Sequence, residues 1–316
     1  MNLKFFIKII GPILFFYILS RVDFRELGPA LKNIDPIYFV LALVFWFFHL
    51  VLRSFKWKIL VNSLGEKVPF PNIFSMFTQS VFWGLVTPGR LGEFSRASYL
   101  TRTSNLPLRK SFWTVIMDRI IDLLVAAFVS LIAVLVLIYL MKVEVPLAVS
   151  LFLLAVFLLS VYFLAKKKQS ENILKFFLRV ILPGLFRDKT QGMVEEFFED
   201  SKKITVSFFA KLFAFELFYY LFIAFALFFL ALSLGFDIPL WYLFLIDPFI
   251  SLVAILPISI LGLGTRELSY AFLLAPLGIG FSQSVIFSLF VLFFNVLIGL
   301  LGLFLYLTKK PKEEKK

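Results

Sequence analysis

Long apolar runs separated by short polar segments make up most of this chain. Six of the runs have the length of full membrane helices, and they lie at about 5–20, 37–60, 112–141, 146–165, 208–232 and 282–308. About 20 predominantly apolar residues in a helix cross a hydrocarbon core roughly 30 Å thick. The pattern therefore predicts an all-α polytopic membrane protein, with residues 1–316 forming a single integral membrane domain.

Two further apolar regions, at about 71–102 and 240–278, are interrupted by Pro, Gly and charged residues. Lys and Arg concentrate in cytoplasmic loops, and their distribution predicts a multi-pass protein of the cell (inner or plasma) membrane with both termini cytoplasmic. This topology places Arg53 and Lys56 in a cytoplasmic loop. It also requires each interrupted region to return to the side from which it enters, as a re-entrant hairpin or a pair of short helices.

The two interrupted regions share a local pattern. The stretch "GEFSRASYL" (Gly92–Leu100) aligns with "RELSYAFLL" (Arg266–Leu274), so that Glu-x-Ser-x-Ala occurs twice. Entry from opposite sides is typical of an inverted repeat, with halves at about 37–165 and 204–308. Three matching positions are equally compatible with chance. The loop between the halves, at about 166–203, is predicted to form a cytoplasmic interfacial helix or a connector packed on the bundle.

Composition excludes several classes of protein. Hydrophobic residues make up 61% of the chain, whereas a soluble domain has about 45–50% apolar residues. The net charge of +12 lies at the ends of apolar runs rather than in a nucleic-acid-binding pattern. There is no Cys and one His, which excludes Cys/His metal sites. No nucleophile, metalloprotease or nucleotide-binding motif is present, so we expect a non-enzyme without metal or cofactor.

The first break carries the strongest candidate site. In "TPGRLGEFSRA" (Thr87–Ala97), Pro88 and Gly89 interrupt the preceding helix, and a new helix is expected from Leu91. The free N–H groups at a helix start favour an anion such as phosphate. Arg90 lies beside this start, and Glu93 is spaced to pair with Arg90 or Arg96. The alternative is an interfacial turn whose Arg side chains extend to water.

Two other stretches place charged residues inside apolar segments. In "MDRIIDLL", Asp118 and Asp122 share one helix face, and Asp122 is expected to pair with an Arg of a re-entrant segment or to titrate. A buried ion pair that holds the bundle together is the alternative. The second break, "GLGTRE" at Gly262–Glu267, offers the same possibilities as the first. His49 and Asp247 are interpreted as packing or surface residues, and Glu216 as a partner of Lys211.

The order "PGRLGE…R", "DRIID", "GLGTRE" resembles the lysylphosphatidylglycerol synthase transmembrane, or flippase-like, family over about residues 10–308. The resemblance implies a helical bundle with re-entrant segments that moves lipids between leaflets. Because the soluble synthase part of the two-domain members is not seen, we do not expect lysyl-phosphatidylglycerol synthesis. The substrate-binding positions predicted from the motifs are Thr87, Pro88, Gly89, Arg90, Gly92, Glu93, Arg96, Asp118, Arg119, Asp122, Gly262, Gly264, Arg266 and Glu267.

Our leading hypothesis is a translocator for a phosphate-bearing lipid, either a phospholipid or a polyprenyl-phosphate-linked molecule. Arg90 and Arg266 would hold the phosphate in a polar cavity between the two breaks. One alternative is a non-transporting membrane scaffold for a separately encoded lipid- or glycan-modifying enzyme. Another is a transporter of small solutes or ions. The expected partners are a membrane lipid and either a second copy of the chain or a separate synthase.

Overall fold

The computed structural model describes residues 15–23, 25, 28, 32–165, 205–255 and 262–308. Where the chain is described, its regular structure is helical and contains no strand. The α-helices are α1 (Pro36–Asn62), α2 (Phe70–Leu85), α3 (Ser95–Thr103), α4 (Leu108–Tyr139), α5 (Leu147–Ala165), α6 (Val206–Ser233), α7 (Leu240–Ile255), α8 (Thr265–Leu274) and α9 (Phe281–Thr308). Two 3-10 segments, Pro88–Phe94 and Ala275–Leu277, lie between them.

Within the part of the chain that the structure describes, four helices are long and apolar enough to cross a membrane: Pro36–Ser63, Leu108–Tyr139, Ser207–Ser233 and Phe281–Thr308. The chain is therefore a multi-pass membrane protein. The predicted helix at 146–165 is present as α5, with 19 residues. Most of the predicted first helix, and the whole of the loop at 166–203, lie outside the described residues.

The surface of these helices suits hydrocarbon. Large apolar side chains such as Leu135, Leu300 and Phe304 are more than half exposed. In water such an exposed apolar surface marks a contact site for a partner or a membrane. Here the exposed side chains belong to membrane-spanning helices, so they face lipid, while Arg53, Lys56, Asp118, Asp122 and Glu216 of the same helices are buried inside the bundle.

Both interrupted regions form two short helices separated by a break. The first consists of α2, the 3-10 segment and α3, and the second of α7, the turn at 262–264 and α8. Each region lies between two long helices. The series long, short, short, long has 27, 16, 9 and 32 residues in the first half, and 28, 16, 10 and 28 in the second.

Helix packing crosses between the two halves. The first long helices, α1 and α6, pack against each other along much of their length. The short helix α2 packs on α9, the last helix of the other half, and the short helix α7 packs on α4. This arrangement brings the two breaks to the middle of the bundle, where polar backbone can be buried in protein rather than exposed to lipid.

The contact between α2 and α9 depends on two glycines. A Cβ at Gly302 would lie 2.3 Å from the Thr78 carbonyl oxygen, and one at Gly299 would lie 2.4 Å from the Leu85 Cδ1 atom. Small residues at helix interfaces let the two backbones approach closely in a membrane. The spacing of α2 and α9 is therefore set by these glycines.

Gly302→Ala is expected to lower the free energy of unfolding by about 1–3 kcal/mol, because the added methyl group must push the two helices apart. Thermal unfolding in detergent measures the change. Gly280→Ala is the matched control, since its Cβ meets no atom closer than 3.6 Å. Equal unfolding midpoints for the two variants would contradict the assigned contact.

Candidate functional site

The first break holds Arg90 in an unusual backbone conformation. Gly89 and Arg90 both have left-handed angles, with φ of 62° and 55°. For a residue other than Gly this conformation costs about 1–2 kcal/mol. The α-helix resumes at Ser95, so the predicted helix start at Leu91 is wrong, because the 3-10 turn continues through Phe94.

Two contacts fix this turn against the end of α2. The Thr87 hydroxyl donates to the Trp83 carbonyl at 2.8 Å and accepts from the Gly92 N–H at 2.6 Å. A Cβ at Gly92 would lie 2.0 Å from the Trp83 carbonyl oxygen. Thr87 and Gly92 therefore position Arg90 through the backbone.

The second break is closed by its own carboxylate. Gly262 and Gly264 have positive φ values, and α8 begins at Thr265. Glu267 accepts from the Gly264 N–H at 2.6 Å and from Arg266 Nη2 at 2.5 Å. A protein carboxylate therefore already occupies the Gly264 N–H at this helix start.

Ser288 of the neighbouring helix α9 forms hydrogen bonds with both Arg266 and Glu267 of the second break. Its hydroxyl accepts from Arg266 Nε at 3.0 Å and donates to the Glu267 carboxylate at 3.2 Å. Glu267 is fully buried, and Arg266 is 5% exposed. Arg266 is therefore held at a defined place beside the break.

The two breaks line one cavity. Thr87, Gly89 and Arg90 border it from the first break, and Gly262 and Arg266 from the second. The volume is about 70 Å³, which is room for several water molecules. Its charged lining consists of Arg53, Arg90 and Arg266 against the single carboxylate of Asp247, with His49 also present. The lining therefore favours an anion.

Three polar atoms in this lining have no hydrogen-bond partner within the part of the chain that the structure describes. They are Trp46 Nε1, the Tyr270 hydroxyl and the Asp247 Oδ2 atom. Buried polar groups are nearly always hydrogen-bonded to protein, water or a ligand. Two of the three carry N–H or O–H donors, which suit the oxygens of a bound anion.

A network of buried ion pairs lies next to the cavity, and Lys56 is its centre. The Lys56 ammonium contacts Asp118 Oδ1 at 2.9 Å and Glu216 Oε2 at 2.7 Å, and it also bonds to Asp122. Arg53 reaches Asp122 at 3.3 Å. The network joins α1, α4 and α6, because each helix supplies at least one of these side chains.

Arg96 extends the network to α3. Its guanidinium bonds to Asp118 Oδ2 at 2.5 Å and lies over the rings of Trp57 and Phe77, at 5.1 and 4.8 Å from their centroids. Arg96 has no exposed surface. The alternative in which Arg96 extends to water is therefore wrong.

Glu93 links the network to the first break. It pairs with Arg119 and lies 3.8 Å from Arg90. The predicted pairing of Glu93 with Arg90 is therefore present, whereas the alternative pairing with Arg96 is not, because Arg96 is turned toward Asp118. Arg90 keeps one-third of its side chain exposed, which leaves its guanidinium accessible from the cavity.

A second cavity of about 30 Å³ lies beside the first. Arg53 and Arg90 border both, and Arg119, Asp122 and Glu216 line the smaller one. The two breaks and the ion-pair network thus border neighbouring cavities. Arg53 and Arg90 stand at the junction between the two cavities.

The predicted site residues fall into separate groups. Those that line the larger cavity are Thr87, Gly89, Arg90, Gly262 and Arg266; the backbone of Pro88 lies in the same turn. Arg119 and Asp122 line the smaller one, and Asp118 and Arg96 are internal ion-pair partners. Gly92, Glu93, Gly264 and Glu267 shape the two breaks. Asp122 pairs with α1 and Arg119, so its predicted pairing with a re-entrant Arg is wrong.

A sequence model of the family described as the lysylphosphatidylglycerol synthase TM region matches residues 6–302. The chain belongs to this family. Among members of known sequence, it is 26% identical to the UPF0104 membrane protein MJ1595 of Methanocaldococcus jannaschii, over 88% of this chain and 82% of that protein. It is also 26% identical to a UPF0104 membrane protein of Methanothermobacter thermautotrophicus, over 54% of this chain and 50% of that protein.

Four charged residues are central to the site, although the sequence pattern did not assign them to it. Arg53 and Lys56 are buried inside α1 rather than placed in a cytoplasmic loop, because that helix continues to Asn62. Glu216 pairs with Lys56 instead of Lys211, and Asp247 is buried in the cavity wall. The apolar residues on both sides of Arg53 and Lys56 were the sequence signal that could have placed both residues inside the helix.

Proposed function

We propose that this protein moves a phosphate-bearing lipid between membrane leaflets through the cavity between the two breaks. One observation carries the proposal: Arg90 and Arg266, from opposite halves of the chain, border the same buried cavity. The lipid chains would stay in the hydrocarbon, so that only the head group enters the polar path. Membership of the lysylphosphatidylglycerol synthase TM region family is consistent with a lipid as the transported molecule.

The charges around the cavity favour phosphate over a cation. Arg side chains form charge-assisted, bidentate hydrogen bonds with phosphate oxygens. Three Arg residues line the cavity against one Asp. The donors of Trp46 and Tyr270, which have no partner among the described residues, would add two neutral hydrogen bonds to the same phosphate.

The ion-pair network would serve as the fixed wall of the path. Lys56, Arg96 and their carboxylates are almost fully buried and mutually paired, so they leave little charge free to bind a ligand. Arg90 differs, because it is partly exposed and its contact with Glu93 is long. We assign phosphate binding first to Arg90 and the shaping of the wall to Glu93, Asp118, Arg119 and Asp122.

The present cavity is smaller than a lipid head group, so the proposal requires the two breaks to separate during transport. The recurrence of long and short helices in the two halves, and their crosswise packing, support an inverted repeat whose halves move against each other. In this arrangement each break would open toward its own side of the membrane.

The test is lipid movement in vesicles reconstituted with the purified protein. Labelled phosphatidylglycerol and a short-chain polyprenyl-phosphate analogue are used in separate arms to identify the lipid class. We expect wild type to move at least one of them, and Arg90→Ala to be slower by about tenfold or more, since a hydrogen bond to a charged group contributes about 1.5–3 kcal/mol.

Arg102→Ala is the matched control, because Arg102 is the exposed basic residue at the end of α3. It should move lipid at the wild-type rate. Equal rates for wild type, Arg90→Ala and protein-free vesicles would overturn the proposal. A stably co-purifying enzyme combined with no lipid movement would favour the scaffold function instead.

A further inference from the structure

Asp247 is the acidic residue of the cavity wall that the proposed function leaves without a role. It lies in the middle of α7, directly before Pro248, and is 5% exposed. Its Oδ2 atom is buried without a hydrogen-bond partner in the described part of the chain. A buried charge without partners is unfavourable, so we expect this carboxyl group to bind a ligand or a proton.

The charged and titratable groups that line the two cavities beside Asp247 are His49 and Arg53 of α1, Arg90 of the first break, Arg119 and Asp122 of α4, Glu216, Tyr219 and Tyr220 of α6, and Arg266 and Tyr270 of α8. Glu93 of the first break and Glu267 of α8 pair with Arg residues of this set and join it. The acidic members of this set other than Asp247 each contact a cation within 3.5 Å. His49 Nδ1 is bonded to the Trp46 carbonyl at 2.5 Å. Asp247 is thus the carboxyl group around this cavity that is available to exchange a proton.

The position of Asp247 also allows it to respond to a lipid. Pro248 lacks an N–H group, which leaves the Phe244 carbonyl without its helical partner and weakens α7 at this point. Asp247 and Arg90 border the same cavity, so a phosphate bound to Arg90 would lie near the Asp247 carboxylate. Two negative groups in one buried site disfavour each other unless one of them is neutralised.

We propose that Asp247 binds a proton together with the lipid phosphate and releases it with the lipid on the opposite side. This inference rests on the proposed function. On the entry side, the Asp247 carboxylate takes one proton from water as the phosphate binds to Arg90. On the exit side, the proton returns to water as the lipid leaves, and the carboxylate faces Arg90 again. One lipid anion and one proton cross together, so no net charge moves through the cavity.

The first experiment measures the distribution of a trace labelled lipid anion between the leaflets of reconstituted vesicles that carry a pH gradient. One proton per lipid shifts the leaflet ratio by about tenfold per pH unit, because one pH unit corresponds to a tenfold change in proton activity. Wild type should show this shift toward the alkaline side. Asp247→Asn should move lipid but leave the ratio near one.

Asp237→Asn is the matched control, since Asp237 is exposed in the loop before α7, and it should behave as wild type. A wild-type protein that moves lipid without responding to the pH gradient would overturn this inference and leave the proposed function standing. A ratio that follows a sodium gradient instead would also overturn it.

The second experiment does not depend on transport. Infrared difference spectroscopy of the purified full chain, with and without lyso-phosphatidylglycerol, should show a protonated carboxylic acid band that appears with the lipid and shifts in heavy water. The band should be absent from Asp247→Asn and present in Asp237→Asn. An unchanged band in Asp247→Asn, or no band in wild type, would contradict the assignment even if no lipid movement is found.

Discussion

Replacing Lys56 by Met is expected to lower the free energy of unfolding by about 3–5 kcal/mol, the range found when one partner of a buried ion pair is removed. Lys56 is 1% exposed and contacts three carboxylates, those of Asp118, Asp122 and Glu216. Met has a similar length and fills the space, so the change removes the charge rather than the packing. The three helices that meet at Lys56 would then carry buried acidic groups without their shared cation.

Thermal unfolding of the purified protein in detergent measures this effect. Lys58→Met is the control, because Lys58 is only half-buried and lies 6.0 Å from the Phe70 ring centroid. Adding Glu216→Gln to Lys56→Met should restore part of the loss, since it removes one of the carboxylates left behind. A Lys56→Met protein as stable as Lys58→Met would contradict the central position of Lys56.

Replacing Arg96 by Met is expected to produce the second large effect, a loss of about 3 kcal/mol in the free energy of unfolding. Arg96 is fully buried, bonds to Asp118 at 2.5 Å and lies over two aromatic rings. Met keeps the contact with Trp57 and Phe77, but it leaves one oxygen of Asp118 without its donor. The loss should therefore come mainly from Asp118.

A double-mutant cycle separates this pair from the rest of the network. Asp118→Asn combined with Arg96→Met should be less harmful than the sum of the two single changes, by about 0.5–3 kcal/mol. Arg102→Met, one to two turns further along α3 and exposed, should leave the unfolding midpoint unchanged. Additive single effects would show that Arg96 and Asp118 do not act as a pair.

Much of the fold could be predicted from the sequence, because hydropathy reports directly on which segments lie in the membrane. The four long helices and both interrupted regions occur where the apolar runs predict them. The break at Pro88–Gly89 was predictable because Pro removes a helical N–H and Gly admits the left-handed backbone. The exact start of α3 was not, because the length of the 3-10 turn depends on how Thr87 and Gly92 pack against Trp83 at the end of α2.

The ion-pair partners could not be read from spacing along the chain. Glu93 is spaced to meet Arg90 or Arg96, yet its main partner, Arg119, lies on another helix. Arg53 and Lys56 sit near the end of an apolar run, where the distribution of cations usually marks a loop. Their burial follows from the way α1 packs against α6 and α4, and a single sequence contains no record of that packing.

The burial of Asp247 in the candidate site could not be predicted from the sequence either. Asp247 lies between apolar residues, which is compatible either with an outer helix end or with the bundle interior. Its burial follows from the packing of α7 against α4, α6 and α8. The shared cavity of Arg90 and Arg266 was a hypothesis from similar sequence patterns, and it depends on contacts between residues more than 150 positions apart.

Native mass spectrometry of the lipids that remain bound to the purified protein tests directly whether a phosphate site lies between the two breaks. Wild type and Arg102→Ala are predicted to retain a phosphate-bearing lipid, either a phospholipid or a polyprenyl phosphate, whereas Arg90→Ala should lose most of it. Equal retention of that lipid by wild type and Arg90→Ala would contradict a phosphate site between the two breaks.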